Sequence, residues 1–237
     1  MTSPLCPAIR RRILWSLAGL WLLAALFASI STGYAAPPRL DDASPIDNAS
    51  REVNPRGPVK CPDVGLVTYL GDKVGYHKPL HVNPDFEHRL KAFEAVLAET
   101  AIRYYGRAPT TVRHLGSFKC RRIARYPHLV SEHGLGNALD VAGFAFKPLP
   151  RGKKLPDGAP KSLTKAFTAT VLDDWTAPTR TKSNAAKVKA YHSGFLHALA
   201  AELDSRPDIF RVMLGPGYPG HRDHFHFDYA PYRLTAW

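Results

Sequence analysis

Apolar side chains recur at helical spacing in two stretches of this chain. Between Asn83 and Tyr105 an apolar residue returns every three or four positions, and Asn83 stands before Pro84 as a helix cap does. The same spacing returns from about Lys187 to Leu203. We therefore predict two long helices, and we assign the aromatic residues of both to the protein core rather than to a ligand site.

Shorter apolar runs, bounded by turn residues, lie between and after these helices. Such runs are typical of strands in an antiparallel sheet. The order of helix, strands, helix and strands predicts an α+β fold, in which a small antiparallel sheet is packed by two main helices. Residues 147–165 predict a basic surface loop. The predicted strands are Val112–Cys120, Ala138–Phe146, Phe210–Leu214 and His224–Tyr229.

The first 35 residues have the pattern of an export signal. Three arginines, Arg10 to Arg12, precede an uncharged apolar run from Ile13 to Ile30, and small residues lead to a cleavage point after Ala35. We predict a signal peptide over residues 1–35. The alternative is an uncleaved anchor, since the run approaches the length of a membrane span. In either case the remainder is exported, to the periplasm or cell envelope.

Residues 36–58 are rich in Pro, Asp, Asn and Ser and show no apolar periodicity. This composition is typical of a flexible linker. We therefore place the folded domain at residues 59–237, a length that can bury a substantial core.

The chain is basic, with 32 Lys and Arg residues against 20 Asp and Glu residues and a net charge of +12. An exported basic protein can bind a polyanionic envelope, nucleic acid or anionic lipid, and the same excess can serve solubility alone. Because no aromatic interleaving or groove-reading helix accompanies the basic residues, we expect no nucleic-acid partner. Membrane contact is expected only through an uncleaved N-terminal segment. The oligomeric state stays open.

Two cysteines, Cys61 and Cys120, follow the predicted signal peptide. A pair of cysteines in an oxidising compartment is a candidate disulfide, and two buried thiols or two metal ligands are the alternatives. Since the chain has no CxxC spacing, a thiolate zinc site is disfavoured, and we favour the disulfide.

The segment over residues 131–140 reads Ser-Glu-His-Gly-Leu-Gly-Asn-Ala-Leu-Asp. The His133 imidazole and the Asp140 carboxylate can both bind zinc, and the two glycines between them let the chain turn close to an ion. Asp140 opens an apolar strand, where an ionised carboxylate is costly unless a cation or hydrogen-bond donors compensate it. Taken alone, the segment would better suit a strand-edge aspartate bonded to the backbone.

Three histidines lie within six residues near the C-terminus. In a strand alternate side chains share a face, so His224, His226 and Asp228 would lie together while the two intervening phenylalanines pack on the other side. An apolar face behind paired imidazoles is what a rigid metal site requires. His221 lies just upstream, beside a Gly- and Pro-rich loop.

Together the two segments supply His, Asp and His from separate parts of the chain. Three protein ligands with a fourth position open to water are typical of a catalytic zinc site. Zinc there would lower the pKa of water toward ~7 and polarise a carbonyl. The remaining imidazole, His224, would move protons or stabilise an oxyanion.

Both segments resemble the extensin-like C-terminal domain family. More broadly they resemble zinc peptidases that include D-Ala-D-Ala carboxypeptidases, phage endolysin peptidases and penicillin-insensitive murein endopeptidases. The pattern Ser-x-His-x-x-Gly-x-Ala-x-Asp falls on residues 131–140 without a gap, and the resemblance covers about residues 59–232. The other matching positions are Cys120 and Arg121, Asp174 and Trp175, Leu214 to Tyr218, and a closing His-x-His at His224 and His226.

The resemblance implies that His133, Asp140 and His226 are the zinc ligands. It implies that His224 lies beside the ligands and transfers protons. Some relatives use a carboxylate at the position of Asp223. Strand alternation points Asp223 away from the metal face unless a bulge intervenes, so we rank His224 above it as the proton carrier.

Two further residues are implied by the resemblance. His221 matches an additional active-site histidine of the murein endopeptidases. Arg121 is similar to the arginine that binds a substrate carboxylate or carbonyl, a role that suits the guanidinium fork.

These features predict an exported Zn²⁺-dependent hydrolase that cleaves peptidoglycan stem peptides or their crosslinks, as a carboxypeptidase or an endopeptidase. The alternative is a non-catalytic, zinc-stabilised module that binds the envelope, since metal binding can supply folding energy. A third class, a basic nucleic-acid binder, would bind with strong salt dependence and without zinc.

Overall fold

The computed structural model describes residues 38–237, so the predicted signal peptide lies outside the described residues. This part of the chain is a mixed α+β fold. The strands are β1 (Val67–Tyr69), β2 (Gly75–Tyr76), β3 (Leu80–Val82), β4 (Thr111–Gly116), β5 (Arg122–Ile123), β6 (Tyr126–Val130), β7 (Ala138–Phe146), β8 (Phe167–Thr170), β9 (Val212–Leu214), β10 (Phe225–Asp228) and β11 (Leu234–Ala236). The helices are α1 (Pro84–Tyr105), α2 (Val171–Asp174) and α3 (Asn184–Asp204), with 3₁₀ turns at Glu132–Leu135 and Lys161–Thr164.

Helix α1 begins and ends where the sequence predicts. The Asn83 side chain accepts a hydrogen bond from the Phe86 backbone N–H, and Gly106 ends the helix in the left-handed region. The apolar residues with helical spacing, among them Phe93, are buried against the sheet. The prediction of this helix is confirmed.

Helix α3 begins three residues before the predicted Lys187. The reason is Ser183, whose hydroxyl caps the helix by accepting from the Ala186 N–H. Phe195 and the leucines that follow at helical spacing are buried, as predicted. No helix within residues 38–237 combines the length and the apolar character that crossing a membrane requires.

The main sheet has seven strands in the order β11–β9–β10–β7–β4–β2, and β8 also pairs with β7. Strand β7 lies at its centre: residues 138–141 pair with β10, and residues 143–146 pair with β8. The central pairs are antiparallel, as predicted. The outer pairs β2–β4 and β11–β9 are parallel, so the prediction of an antiparallel sheet is wrong at both edges. Parallel neighbours cannot be joined by a tight hairpin, and α1 lies between β2 and β4 along the chain, as β10 does between β9 and β11.

Strand β7 has the predicted bounds, whereas β4 ends at Gly116 rather than at the predicted Cys120. The Ser117 hydroxyl donates to the His81 carbonyl and accepts from the His81 N–H, which takes the chain away from the ladder with β7. Cys120 then forms the expected disulfide with Cys61, with a Cα–Cα distance of 5.7 Å. The disulfide ties the chain after β4 to the segment before β1.

Residues 38–58 differ from the flexible linker that their composition predicts. The buried Arg89 guanidinium donates to the carbonyls of Asp41 and Ala43, and backbone hydrogen bonds join residues 51–53 to β6. The segment therefore packs on the domain. Composition does not reveal this, because the partners are side chains and backbone groups far along the chain.

Candidate metal centre

Three side chains from separate parts of the chain meet beside strand β7. The Nε2 atom of His133 lies 3.2 Å from Asp140 Oδ1 and 3.3 Å from His226 Nδ1. The third side of this triangle, from His226 Nδ1 to Asp140 Oδ1, measures 2.9 Å. The structure therefore brings together the three residues that the resemblance implies as metal ligands.

The spacing of these donor atoms fits a tetrahedral zinc ion. Nitrogen and oxygen ligands lie about 2.0–2.1 Å from zinc, which places any two of them about 3.3 Å apart in a tetrahedron. The observed distances of 2.9, 3.2 and 3.3 Å are close to that length. Asp140 and His226 also line an open cavity, so a fourth position is accessible from solvent.

Each imidazole has a hydrogen-bond partner on the side away from the triangle. The Nδ1–H of His133 donates to the Ser117 carbonyl at 2.7 Å, and the Nε2–H of His226 donates to Asp228 Oδ2 at 2.7 Å. These bonds select the tautomers in which His133 Nε2 and His226 Nδ1 are unprotonated and each direct a lone pair at the triangle. Two lone pairs aimed at one point repel each other unless a cation lies between them, so the donor set fits a metal ion.

The electrostatics of the triangle also favour a cation. Burial favours the neutral form of Asp140, yet His133 and His226, whose protonated forms donate to its carboxylate, hold the pKa of Asp140 well below its ordinary value. Burial opposes protonation of His226, but the carboxylates of Asp140 and Asp228 outweigh it and raise the pKa of His226 to about 9. The centre therefore attracts positive charge, whether a proton or a metal ion.

The sheet fixes two of the three candidate ligands. His226 on β10 lies directly opposite Asp140 on β7 in the antiparallel ladder. On the other face of β10, Phe225 and Phe227 are fully buried, and Phe227 stacks on Phe210 with ring centroids 4.8 Å apart. The predicted alternation of imidazoles and phenylalanines is confirmed, and the aromatic core holds the ligand strand in place.

The third candidate ligand, His133, lies in the 3₁₀ turn Glu132–Leu135, which contains Gly134 and is followed by Gly136. Gly136 has a φ of 58°, and a Cβ there would lie 2.4 Å from Leu66 Cδ2. A Cβ on Gly134 would lie 2.6 Å from Cys61 Sγ. The glycines thus allow the chain to turn, as expected, and to pack against the disulfide and the chain before β1.

His224 lies beside the triangle, with its Nε2 atom 3.6 Å from Asp140 Oδ1. Its Nδ1 atom lies 2.8 Å from Asp223 Oδ1. Asp223 precedes β10, so strand alternation does not govern its direction, and its carboxylate contacts His224 rather than the ligands. This arrangement orients the Nε2 of His224 toward the centre.

His221 is the third imidazole of this cluster. Its ring lies 4.9 Å from that of His224 and 5.7 Å from that of His226, centroid to centroid, and its Nδ1 is 3.1 Å from the Pro219 carbonyl. Burial and the neighbouring imidazoles hold the pKa of His221 below its ordinary value. The surroundings of His221 therefore favour its neutral form.

A cavity of about 940 Å³ opens over the centre. Asp140, His224 and His226 line it together with the β5–β6 hairpin and with Tyr218 and Tyr232. Arg121, whose side chain is exposed, lines the same cavity directly after the disulfide. The predicted site residues thus face one space, apart from His133, which is buried beneath it, and Asp223, which contacts His224.

Several residues that support the centre were not assigned a role from the sequence. Asp228 could have been assigned one, because strand alternation places it on the same face as His226. The Ser117 carbonyl leaves no side-chain signal. Glu132 pairs with Arg51 at 2.7 Å, and Arg51 lies in the segment predicted as a linker.

A family model for the C-terminus of extensin-like proteins matches residues 43–236. This range includes every residue of the candidate centre and most of the N-terminal segment that packs on the domain. No curated protein and no solved structure matches the chain.

Proposed function

From the premise that this chain belongs to the extensin-like protein C-terminus family, we propose that it is an exported zinc metallopeptidase that cleaves peptide bonds of peptidoglycan. The observation that carries the proposal is the triangle of His133, Asp140 and His226 beside an open cavity. Three protein donors with an accessible fourth position are typical of catalytic zinc sites, whereas structural sites are closed by four protein ligands.

The substrate class comes from the wider resemblance to D-Ala-D-Ala carboxypeptidases and murein endopeptidases. That resemblance rests on the motif over residues 131–140 and on the closing His-x-His at His224 and His226. Under this proposal the scissile bond is an amide of the stem peptide or of a crosslink. Carboxypeptidase and endopeptidase cleavage both fit a cavity of about 940 Å³.

The metal ligands and His224 have different roles in the proposed reaction. Zn²⁺ held by His133, Asp140 and His226 would lower the pKa of water and polarise a carbonyl. His224 transfers the proton to the leaving amine, because its Nε2 faces the centre. Asp223 keeps the His224 ring in that orientation through its bond to Nδ1.

Two residues extend the site toward the substrate. His221 provides a second imidazole beside His224. The Arg121 guanidinium lies in the cavity with its fork available for a substrate carboxylate or carbonyl. Because Arg121 directly follows Cys120, the disulfide helps to hold Arg121 in position for substrate binding.

Export to the periplasm or cell envelope is part of the proposal. The pattern over residues 1–35 supports it, and so does the Cys61–Cys120 disulfide, because disulfides persist mainly in oxidising compartments. The predicted substrate, peptidoglycan, lies in the same compartment.

The direct test replaces His226 with Ala in the full chain. The variant should lose both zinc binding and cleavage of purified peptidoglycan, measured by metal analysis and by mass spectrometry of the released muropeptides. His88→Ala, which removes an exposed histidine of α1, is the matched control and should keep both. Cleavage that persists in the His226→Ala variant would contradict the mechanism.

A second candidate function is a non-catalytic, zinc-stabilised module that binds the envelope. The basic surface over residues 147–189 favours it: this range has ten basic and three acidic side chains, nine of the ten basic ones are exposed, and none lines the cavity described above. Such a surface attracts polyanions. His224→Ala separates the two functions: zinc retention with loss of cleavage favours the enzyme, whereas no cleavage in either wild type or variant favours the binding module.

A further inference from the structure

A largely buried ion pair beside the metal centre joins the N-terminal segment to the turn that carries His133. The Nε of Arg51 donates to Glu132 Oε1 at 2.7 Å, and its Nη2 donates to Oε2 at 3.2 Å. The two side chains are only 12% and 6% exposed. A two-pronged contact of this kind fixes the direction of a carboxylate as well as compensating its charge.

Arg51 is held rigidly by its own segment. Its Nη1 donates to the carbonyls of Ile46, Asp47 and Ala49. The Arg51 carbonyl accepts from the Val130 N–H at the end of β6. The guanidinium therefore has a fixed position, unlike a solvated arginine on a flexible linker.

Glu132 connects this ion pair to both histidine ligands. It directly precedes His133 in the turn, and its Oε2 accepts from Asn137 Nδ2 at 2.7 Å. The same Asn137 Nδ2 donates to the Tyr229 carbonyl at 3.0 Å, one residue beyond the strand that carries His226. The Glu132 carboxylate thus connects, through Asn137, the turn that carries His133 to the strand that carries His226.

A negative charge at Glu132 also requires a cation nearby. Burial raises the pKa of Glu132, the Asp228 carboxylate acts in the same direction, and Arg51 opposes both. Asp228 is the group that orients His226. Without Arg51 the repulsion between these buried carboxylates would displace the turn, the end of β10, or both.

We propose that Arg51 is a positioning residue of the metal centre, which acts through Glu132 to hold His133 and His226 at ligand spacing. This inference rests on the metal centre of the proposed function. It makes the segment over residues 38–58 part of the metal-binding unit.

The test measures zinc affinity of the full chain by competition with a chromophoric chelator. Arg51→Met, which keeps an unbranched apolar side chain but removes the guanidinium and its charge, should weaken zinc binding by about 10–100-fold, the range for residues that support metal ligands. Arg122→Met is the matched control, because Arg122 also holds the segment, through the carbonyls of Asn54 and Gly57, but does not contact Glu132. Its zinc affinity should equal that of the wild type.

Two further variants separate positioning from mere stabilisation of the fold. In the double variant R51M/E132Q neither buried charge remains, so zinc affinity and the visible spectrum of the Co²⁺-loaded protein should return toward those of the wild type. Arg51→Lys, which keeps the charge without the fork, should fold and still bind zinc more weakly than the wild type.

The outcomes distinguish this inference from the proposed function. A wild-type chain that binds no zinc contradicts the proposed function itself. A wild type that binds zinc, with folded Arg51→Met or Arg51→Lys variants of equal affinity, contradicts only the role of Arg51. Failure of E132Q to restore affinity in the double variant would show that Arg51 does not act through Glu132.

Discussion

Two buried histidines, His192 and His226, lie in opposite electrostatic environments. At His192, whose ring contacts the Tyr105 hydroxyl, burial lowers the pKa to about 4. At His226 burial acts in the same direction, but the carboxylates of Asp140 and Asp228 outweigh it and raise the pKa to about 9. The difference shows that burial alone excludes positive charge here, and that the groups around His226 are arranged to hold one.

The largest effect is expected from Asp140→Asn, which removes the negative charge between the two imidazoles. Because this change also weakens a ligand, zinc affinity should fall by more than the roughly 100-fold that marks the upper range for supporting residues. Chelator competition measures the change. His192→Phe removes the other histidine of this comparison and should bind zinc as the wild type does. Equal affinity in the Asp140→Asn variant would mean that zinc is held elsewhere.

The pH dependence of stability tests the same contrast in the zinc-stripped protein. The pKa of His226 is raised from 6.5 to about 9 on folding, so its protonation stabilises the fold by about 3 kcal/mol below pH 6.5, and this is lost as the pH rises to about 9. Urea unfolding in pH steps, compared with His226→Ala, measures the contribution. A difference between the two proteins that stays constant from pH 6.5 to 9 would contradict the assigned environment.

A smaller effect is expected from Asp228→Asn. This substitution leaves the ligands in place but removes the carboxylate that accepts the Nε2–H of His226. Zinc affinity should fall by about 10–100-fold, or about 1.4–2.7 kcal/mol, because the imidazole becomes a weaker and less well oriented ligand. Isothermal titration with zinc gives the value, and an unchanged affinity would show that Asp228 plays no part in holding His226.

The smallest effect is expected from Asp223→Asn. The Asp223 side chain is 52% exposed, so its contact with His224 contributes no more than about 1 kcal/mol. Zinc affinity should be unchanged and peptidoglycan cleavage should fall by no more than about fivefold. Parallel zinc titrations and cleavage rates check both expectations. A loss of zinc from this variant would place Asp223 among the ligands.

The parts of the centre that the sequence reveals are those encoded locally. His133 and Asp140 lie in one motif, and the alternation of His and Phe places His226 on the ligand face because a strand repeats every two residues. Helix α1 is predictable for the same reason, since Asn83 and the apolar spacing are local signals.

The parts that the sequence does not reveal depend on distant partners. Arg51 lies in a polar segment without periodicity, and its partner Glu132 is 81 residues away. The Ser117 carbonyl that orients His133 is a backbone group, which any residue would supply. The parallel pairing of β2 and β11 likewise depends on how the chain returns to the sheet rather than on the composition of the strands.

Under the proposed function, His133, Asp140 and His226 hold one divalent ion. X-ray absorption at the zinc edge, combined with metal analysis of the purified full chain, tests it most directly. We expect one zinc per chain, with nitrogen and oxygen ligands at about 2.0–2.1 Å, two imidazoles and no sulfur. A chain that binds no zinc, a zinc–sulfur distance of about 2.3 Å, or an unchanged spectrum in the His133→Ala and His226→Ala variants would contradict it.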